Sequence, residues 1–524
     1  MENLEEKYKS LMSEEGVAKL DPQAALDHIG ILVDLSMDLG KAEGLERAIK
    51  LSDEIGKRQL TCGQRTLLYY FVANAWSGLR TITRITAGKA WDWEQHEIEE
   101  EILCLRRALQ GNGFNELPKE RKCQVLTNLG NALNHVGRIV EAIEYWDQAI
   151  SEVPTFAMAI GNRGLGRTHY ARALYDKGHT AVLLKYGWAD LKLSLSSEIH
   201  KGAREIFEKW RTRIESMLSP EYLEKDVDLH SFSLGNTNEE IHYRRWCLEN
   251  RLFLNPLNDL GPYPIGARDI LALPPIVVGV DEGPYYPGYF NQMKQEFVSA
   301  RYLYYVGVKR KEPHFSDRDV FLCNTLDYPS YALAVEEVKA AFRVTYSIFD
   351  KIGYFLNHYL DLAIPQRKVT FRIFWYASQE KSKGLRSEFE RRQNWPLRGL
   401  FWLGKDLYED RQGFKDSIQP DARELAELRN HLEHKYLKLH DDFWSGPTVS
   451  EDKLARSSAD TLSYSVYRRD FEAKTLRLIK MARAAMIYLS LAIRSEEQQR
   501  ARERGPSAKI LEMPLDSWDD EWKV

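Results

Sequence analysis

Apolar residues recur along this chain at intervals of three and four, the spacing that lines one face of a helix. The pattern is densest from Cys123 to Phe156. There Leu126, Leu129, Leu133, Ala142, Trp146 and Ala149 are interleaved with Gly130 and Gly137, and Pro154 closes the run. Small residues let two helices approach while large ones fill the gap, so the segment predicts a helical hairpin. Gly164 follows Gly130 at repeat distance, which predicts a second unit, irregular around Lys177-Gly178-His179, with its second helix near Ala181 to Ser194. Upstream, Gly40–Ile55, Gln64–Leu79 and Glu97–Leu109 read as further helices. From 221 to 288 the pattern breaks at Asn255-Pro256, Gly261-Pro262, Pro274-Pro275 and Gly283-Pro284. Trp246, Leu252, Phe253, Leu254 and Ile276-Val277-Val278 would meet water in a free linker, so a packed connector is expected. Helical spacing resumes at Tyr289, to about Lys311. It returns from Pro329 to just before Pro365, with Val338, Phe342, Thr345, Phe349, Ile352, Leu356 and Tyr359 as one seam. Val369, Phe371 and Ile373 alternate with Thr370, Arg372 and Phe374, which predicts a short strand. Leu425, Leu428, Leu432 and Leu439 form another helical seam, followed by a polar loop over Asp441–Ser458. A last helix is expected from Ala459 to about Glu497, with Leu476, Ile479, Ala482, Met486, Leu489 and Ile493 on one face.

The chain is therefore read as all-α, in four segments: a helical repeat domain (1–220), a packed Pro/Gly-rich connector (221–288), a helical bundle with a minor strand insertion (289–497) and a charged tail (498–524) carrying Trp518 and Trp522. The Cys123–Phe156 pattern resembles the tetratricopeptide repeat (TPR), whose units stack into a concave surface that binds peptides. On that surface Thr127, Asn131 and Asn134 would face a protein or peptide partner, against the plainer reading that they are simply solvated.

The chain has 524 residues, 44% hydrophobic and 29% charged, with a formal net charge of −4. That balance gives no global sign of nucleic-acid binding, so an RNA site would have to be a local basic patch. One candidate is Lys381, Lys383, Arg386, Arg391, Arg392 and Arg398 with Trp395 and Phe401 nearby, although Glu388 and Glu390 favour an ordinary solvated loop. No apolar run approaches a membrane span, and the opening Met1-Glu2-Asn3-Leu4-Glu5-Glu6-Lys7 does not read as a signal peptide. The five cysteines stand far apart with no CxxC or zinc-ligand spacing, which suits reduced thiols in a cytoplasmic protein.

Candidate chemistry is concentrated in the stretch from Glu424 to Lys435. Pro420 and Asp421 suit a helix start. Asn430 and His434 are four apart and share a face; Arg429 and His434 are five apart, about 140° around a regular helix, a separation a long guanidinium can span. Histidine moves protons near neutral pH. Arginine stays charged and forks onto phosphate oxygens. A solvated helix face laced by pairs such as Arg429–Glu433 is the competing reading. His431 and His440 are read as surface or interface histidines.

Arg429-Asn430 followed by His434 resembles the RNxxxH motif of HEPN-superfamily ribonucleases. The resemblance implies a small helical bundle, roughly residues 289–497, that dimerises and lends Arg429, Asn430 and His434 to a composite cleft cutting RNA without a metal. It implies a homodimer, an RNA substrate, no cofactor and 2′,3′-cyclic phosphate products. A repeat domain ahead of such a bundle is similar to the layout of prokaryotic antiviral and toxin proteins. The alternative is a non-catalytic TPR scaffold whose bundle dimerises or binds RNA or nucleotide without cleaving it. A metal-dependent nuclease or phosphatase is the weakest reading, since neither a GxxxxGK[ST] loop nor a convincing ligand set is present.

Overall fold

The computed structural model describes residues 2–13, 19–86, 88–279, 281–324, 327–408, 425, 428–432, 435–441, 462–505 and 510–523. Helices dominate. The first half runs α1 (Glu2–Ser13), α2 (Pro22–Leu39), α3 (Ala42–Gly56), α4 (Cys62–Arg80), α5 (His96–Leu109), the single turn α6 (Gly113–Glu116), α7 (Lys119–His135), α8 (Ile139–Glu152), α9 (Ala157–Ala173), α10 (Lys177–Leu195), α11 (Lys201–Glu215) and the short α12 (Pro220–Glu224). Neighbours in sequence pack in pairs, α2 with α3, α4 with α5, α7 with α8 and α9 with α10.

The hairpin expected from Cys123 onward is α7 and α8, and its glycines have a visible cause. Trp146 on α8 is buried and wedged between them: a Cβ on Gly130 would lie 2.6 Å from its Nε1, and one on Gly166 of α9 would lie 2.3 Å from its ring. Capping also follows the sequence. Asp21 and Thr61 accept backbone N–H groups at the starts of α2 and α4, and Gly40 ends α2 at φ +65°.

After α13 (Asn238–Glu249) the breaker-rich segment is irregular, buried over 252–261 and more exposed beyond. Leu252, Leu254, Asn255, Asn258 and Asp259 are solvent-free. Asp259 accepts hydrogen bonds from Tyr170 of α9 at 3.1 Å and from Arg483, late in the chain, at 2.7 Å, so the connector is tied to both flanks.

The second half contains α14 (Tyr285–Lys309), α15 (Leu333–Tyr359), the single turn α16 (Ser387–Glu390), α17 (Trp395–Tyr408) and α18 (Arg468–Arg504). Helices α14, α15 and α17 each pack on α18, and α14 on α15. The α15 seam is as expected: Val338, Phe342, Thr345, Phe349, Ile352, Leu356 and Tyr359 are all buried. Helix α18 starts nine residues later than its apolar pattern suggested, at Arg468, and runs to Arg504. Its run 481–493 is buried on every side, because connector, bundle and repeat helices all reach it.

One expectation about a strand and one about a helical seam are corrected. Val369–Phe374 is not a strand. The chain turns there, with Phe374 N–H bonded to Thr370 O, and both Phe371 and Phe374 are buried where alternation would have separated them. The strands lie further on: β1 (Tyr436–His440) and β2 (Ser463–Tyr467) pair in parallel, Leu439 opposite Val466. Leu439 thus belongs to a strand and not to the helical seam. The spacing Leu432–Leu439 fits a helix, but Leu437 and Leu439 are both buried at strand spacing. Of the expected loop Asp441–Ser458, only Asp441 lies among the described residues.

Helix α17 joins the two halves. Trp395 Nε1 donates to Asn134 O at 2.8 Å, and Arg398 to Ala90 O at 3.2 Å. Asp406 takes a two-pronged pair of bonds from Arg106, both 2.8 Å, and another from Arg138. The backbones touch where Gly137 meets Gly399: Gly137 has φ +93°, and a Cβ on it would stand 2.0 Å from Trp395 O. Gly137→Ala is therefore expected to lower stability by about 2–4 kcal/mol, from strain at positive φ and backbone overlap together. The denaturation midpoint reads this directly, and an unchanged midpoint would mean that the seam is not closely packed.

Candidate functional site

The stretch 428–432 is helical, and Leu425, Leu428 and Leu432 are buried as the seam required. Lys435 N–H bonds to His431 O at 3.2 Å. Arg343 of α15 donates to Leu432 O at 2.9 Å, placing a cation where the helix end is negative.

Arg429 is half-buried. Its guanidinium carbon sits 5.5 Å from the ring centroid of Tyr346 on α15. Tyr346 meets Tyr408, the last residue of α17, edge to face at 6.1 Å, and the two hydroxyls hydrogen-bond. Burial pushes the Tyr346 phenol up to about 12, so it is neutral at physiological pH. Asp350, one turn along α15, accepts the Phe371 N–H at 2.9 Å. Burial raises its pKa, against the opposing pull of that hydrogen bond and of Arg429. Arg429 is thus set on an aromatic shelf near one carboxyl group. Asn430 beside it is exposed. His434, Glu433, Glu427, Glu424, Asp421 and Pro420 lie outside the described residues.

The two other histidines, expected at a surface or interface, both lie at the small sheet. His431 stacks on Tyr464 of β2 at 4.8 Å. His440 is buried at the end of β1, and burial lowers its pKa, the main cause of the shift. Beside it Lys438 pairs with Asp327, and Ser330 N–H bonds to Leu439 O at 2.7 Å.

The basic cluster at 381–398 is split: Lys383 and Arg391 are exposed, as a solvated loop would have them, and the rest are drawn into contacts with the protein. Arg398 and Phe401 are buried, Arg386 donates to Phe374 O, Arg392 pairs with Glu496, and Trp395 is bound to the repeat half. Of the expected peptide-facing positions, Thr127 is buried and Asn131 accepts from Trp146 Nε1 at 3.1 Å. Asn134 gives its carbonyl to Trp395. Among the described residues, no group of three or more His, Cys, Asp or Glu side chains is placed to hold a metal ion. Among them also, no helix is long and apolar enough to cross a membrane.

Tyr346, Asp350 and Tyr408 went unmarked by sequence reasoning. The available signal was a tyrosine and an aspartate set next to the apolar seam Phe342–Phe349.

The residues around Arg429 fall within a known family pattern. Residues 277–496 match the family model LA2681-like HEPN. This HEPN match covers under half of the chain, and spans α14 to most of α18 together with Arg429, Asn430 and His434. It supports a place for this segment in the HEPN superfamily. No curated protein and no solved structure matches the chain.

Proposed function

We propose that this chain is a metal-independent endoribonuclease of the HEPN type, with Arg429, Asn430 and His434 as its working residues. The observation that carries the reading is the position of Arg429. It lies inside the HEPN-matching segment, off the leucine seam, half-buried and steadied on Tyr346. A cation fixed in this way meets charge developing on a phosphate with little reorganisation.

In the proposed reaction His434 removes the proton from a ribose 2′-hydroxyl, and that oxygen attacks the adjacent phosphorus. The 5′-oxygen of the next nucleotide leaves and takes up a proton. Arg429 compensates the charge on the phosphoryl oxygens, and Asn430 orients the phosphate. The products are a 2′,3′-cyclic phosphate and a 5′-hydroxyl. Two protomers form the cleft, and the TPR-like half restrains or triggers it. A role in antiviral defence or as a toxin rests on the resemblance of the domain layout alone.

The test replaces the ribose at a mapped cleavage position by deoxyribose. Cleavage there is expected to vanish while neighbouring positions are still cut. Persistent cutting at the deoxy position would end the proposal, because no 2′-oxygen would be available. The shelf itself gives a graded prediction. Tyr346→Phe keeps the ring and is expected to leave cleavage within about threefold of wild type. Tyr346→Leu removes the cation–π contact and is expected to slow single-turnover cleavage by about 3- to 30-fold. Equal rates for the two variants would show that the ring does not position Arg429.

A further inference from the structure

Arg398 of α17 is a buried cation that no carboxylate contacts among the described residues. It is 1% exposed, and its Nη1 donates only to main-chain oxygens of the repeat half, Ala90 O at 3.2 Å and His135 O at 3.4 Å. Its Nε and Nη2 are also buried, and neither has a hydrogen-bond partner among the described residues. We propose that this side chain holds a small monovalent anion, of the chloride kind, in the seam between the two halves. The inference assumes nothing about RNA cleavage.

The unpartnered donors point to one place. Nε–H and one Nη2–H lie along the same edge of the planar guanidinium, the fork that grips an anion with two parallel hydrogen bonds. The carboxylates of this region are engaged elsewhere. Glu101 is paired with Arg80 at 2.9 Å, and Asp92, whose charge reaches Arg398, is bonded to Arg84 at 3.0 Å. The surroundings of the fork are positive. The Nε2 of His135 is likewise buried and without a partner among the described residues. Burial, with the charges of Arg80 and Arg398, holds its imidazole down to about 2, so it is neutral. Burial and Arg80 lower Arg398 as well, to about 10, which still leaves it charged at neutral pH.

A water would answer the missing hydrogen bonds but not the charge, and an isolated buried charge is strongly destabilising. A dianion would bring one charge more than Arg398 cancels, since His135 is neutral. A monovalent anion balances the site. Because Arg398 also grips carbonyls of the repeat half, such an anion would strengthen the docking of α17 on that half.

The test is thermal unfolding of the full chain in sodium gluconate, with chloride exchanged in at constant ionic strength. The Tm is expected to rise by about 2–4 °C and to level off below about 100 mM chloride. Arg398→Met, which removes the charge and keeps an unbranched stem, is expected to show no chloride dependence. Chloride-35 NMR of the wild type decides the matter if that variant does not fold: the protein is expected to broaden the chloride line, and bromide at equal ionic strength to reverse the broadening. A Tm indifferent to chloride would assign a water to the fork and overturn the proposal. So would a linear response without saturation, a response that Arg398→Met retains, or broadening that bromide leaves unchanged. Inorganic phosphate saturating at a lower concentration than chloride would overturn the monovalent assignment. None of these results bears on whether His434 cleaves RNA.

Discussion

Arg429→Ala is expected to lower single-turnover RNA cleavage by about 10²- to 10³-fold, the usual cost of removing one fixed donor that meets transition-state charge. The fold should survive. Arg429 lies outside the buried seam of Leu425, Leu428 and Leu432, and its resolved partner is the Tyr346 ring, a contact worth about 0.5–2 kcal/mol. Arg429→Lys should recover only part of the lost rate, since an ammonium keeps the charge but not the planar fork. The check is cleavage at saturating protein together with a thermal melt. A variant that unfolds would make Arg429 a structural residue, and a variant that cleaves normally would remove it from the mechanism.

Asp406→Ala carries the largest expected loss of stability, about 3–5 kcal/mol, because it strands Arg106 and Arg138 in the interior without their counter-charge. All three side chains are at most about 5% exposed, so water cannot take over. The pH dependence follows from the same contacts. Burial acts to raise the Asp406 carboxyl, but the charges of Arg106 and Arg138 outweigh it and hold the pKa below the ordinary value. A carboxylate with a depressed folded-state pKa adds stability above its unfolded pKa, about 4, and that stability is lost as pH falls through the lower folded value. Denaturant midpoints of wild type should therefore decline below about pH 4, and those of Asp406→Ala should decline less. Parallel pH profiles would show that Asp406 is not ionised in the native protein.

The same helix explains what the sequence could not reveal. Trp395, Arg398 and Asp406 of α17 find partners 261 to 308 residues upstream, and no local pattern encodes contacts over that distance. In the sequence Arg398 read as part of a solvated basic loop or, less favoured, a phosphate contact, yet it donates to main-chain carbonyls of the repeat half. The hairpin at α7 and α8 was readable because its determinants are short-range, with Trp146 filling the space that Gly130 leaves. The helical seam through Leu425, Leu428 and Leu432 was readable for the same reason. Past it, Leu439 satisfied a helical and a strand spacing at once, and the pairing with β2 that decided between them comes from another part of the chain. Phe371 and Phe374 were misassigned because burial of both depends on Phe349, Trp375 and Phe389 around them. In the candidate site, Arg429 and its residue type were legible, whereas its shelf of Tyr346 and Tyr408 needed two helices brought together.

Proximity within α17 also links the two halves to the candidate site. Asp406 is gripped by the repeat half, and Tyr408 two residues on supports Tyr346 beneath Arg429. Loss of the Asp406 contacts should therefore be felt at the shelf as well as in global stability.

The most direct test of the central claim compares wild type with His434→Ala on RNA in EDTA, with analysis of the product ends. Cleavage by wild type alone, leaving 2′,3′-cyclic phosphate and 5′-hydroxyl ends, is the predicted result. Equal cleavage by both proteins, or wild-type products ending in 3′-hydroxyl and 5′-phosphate, would contradict it.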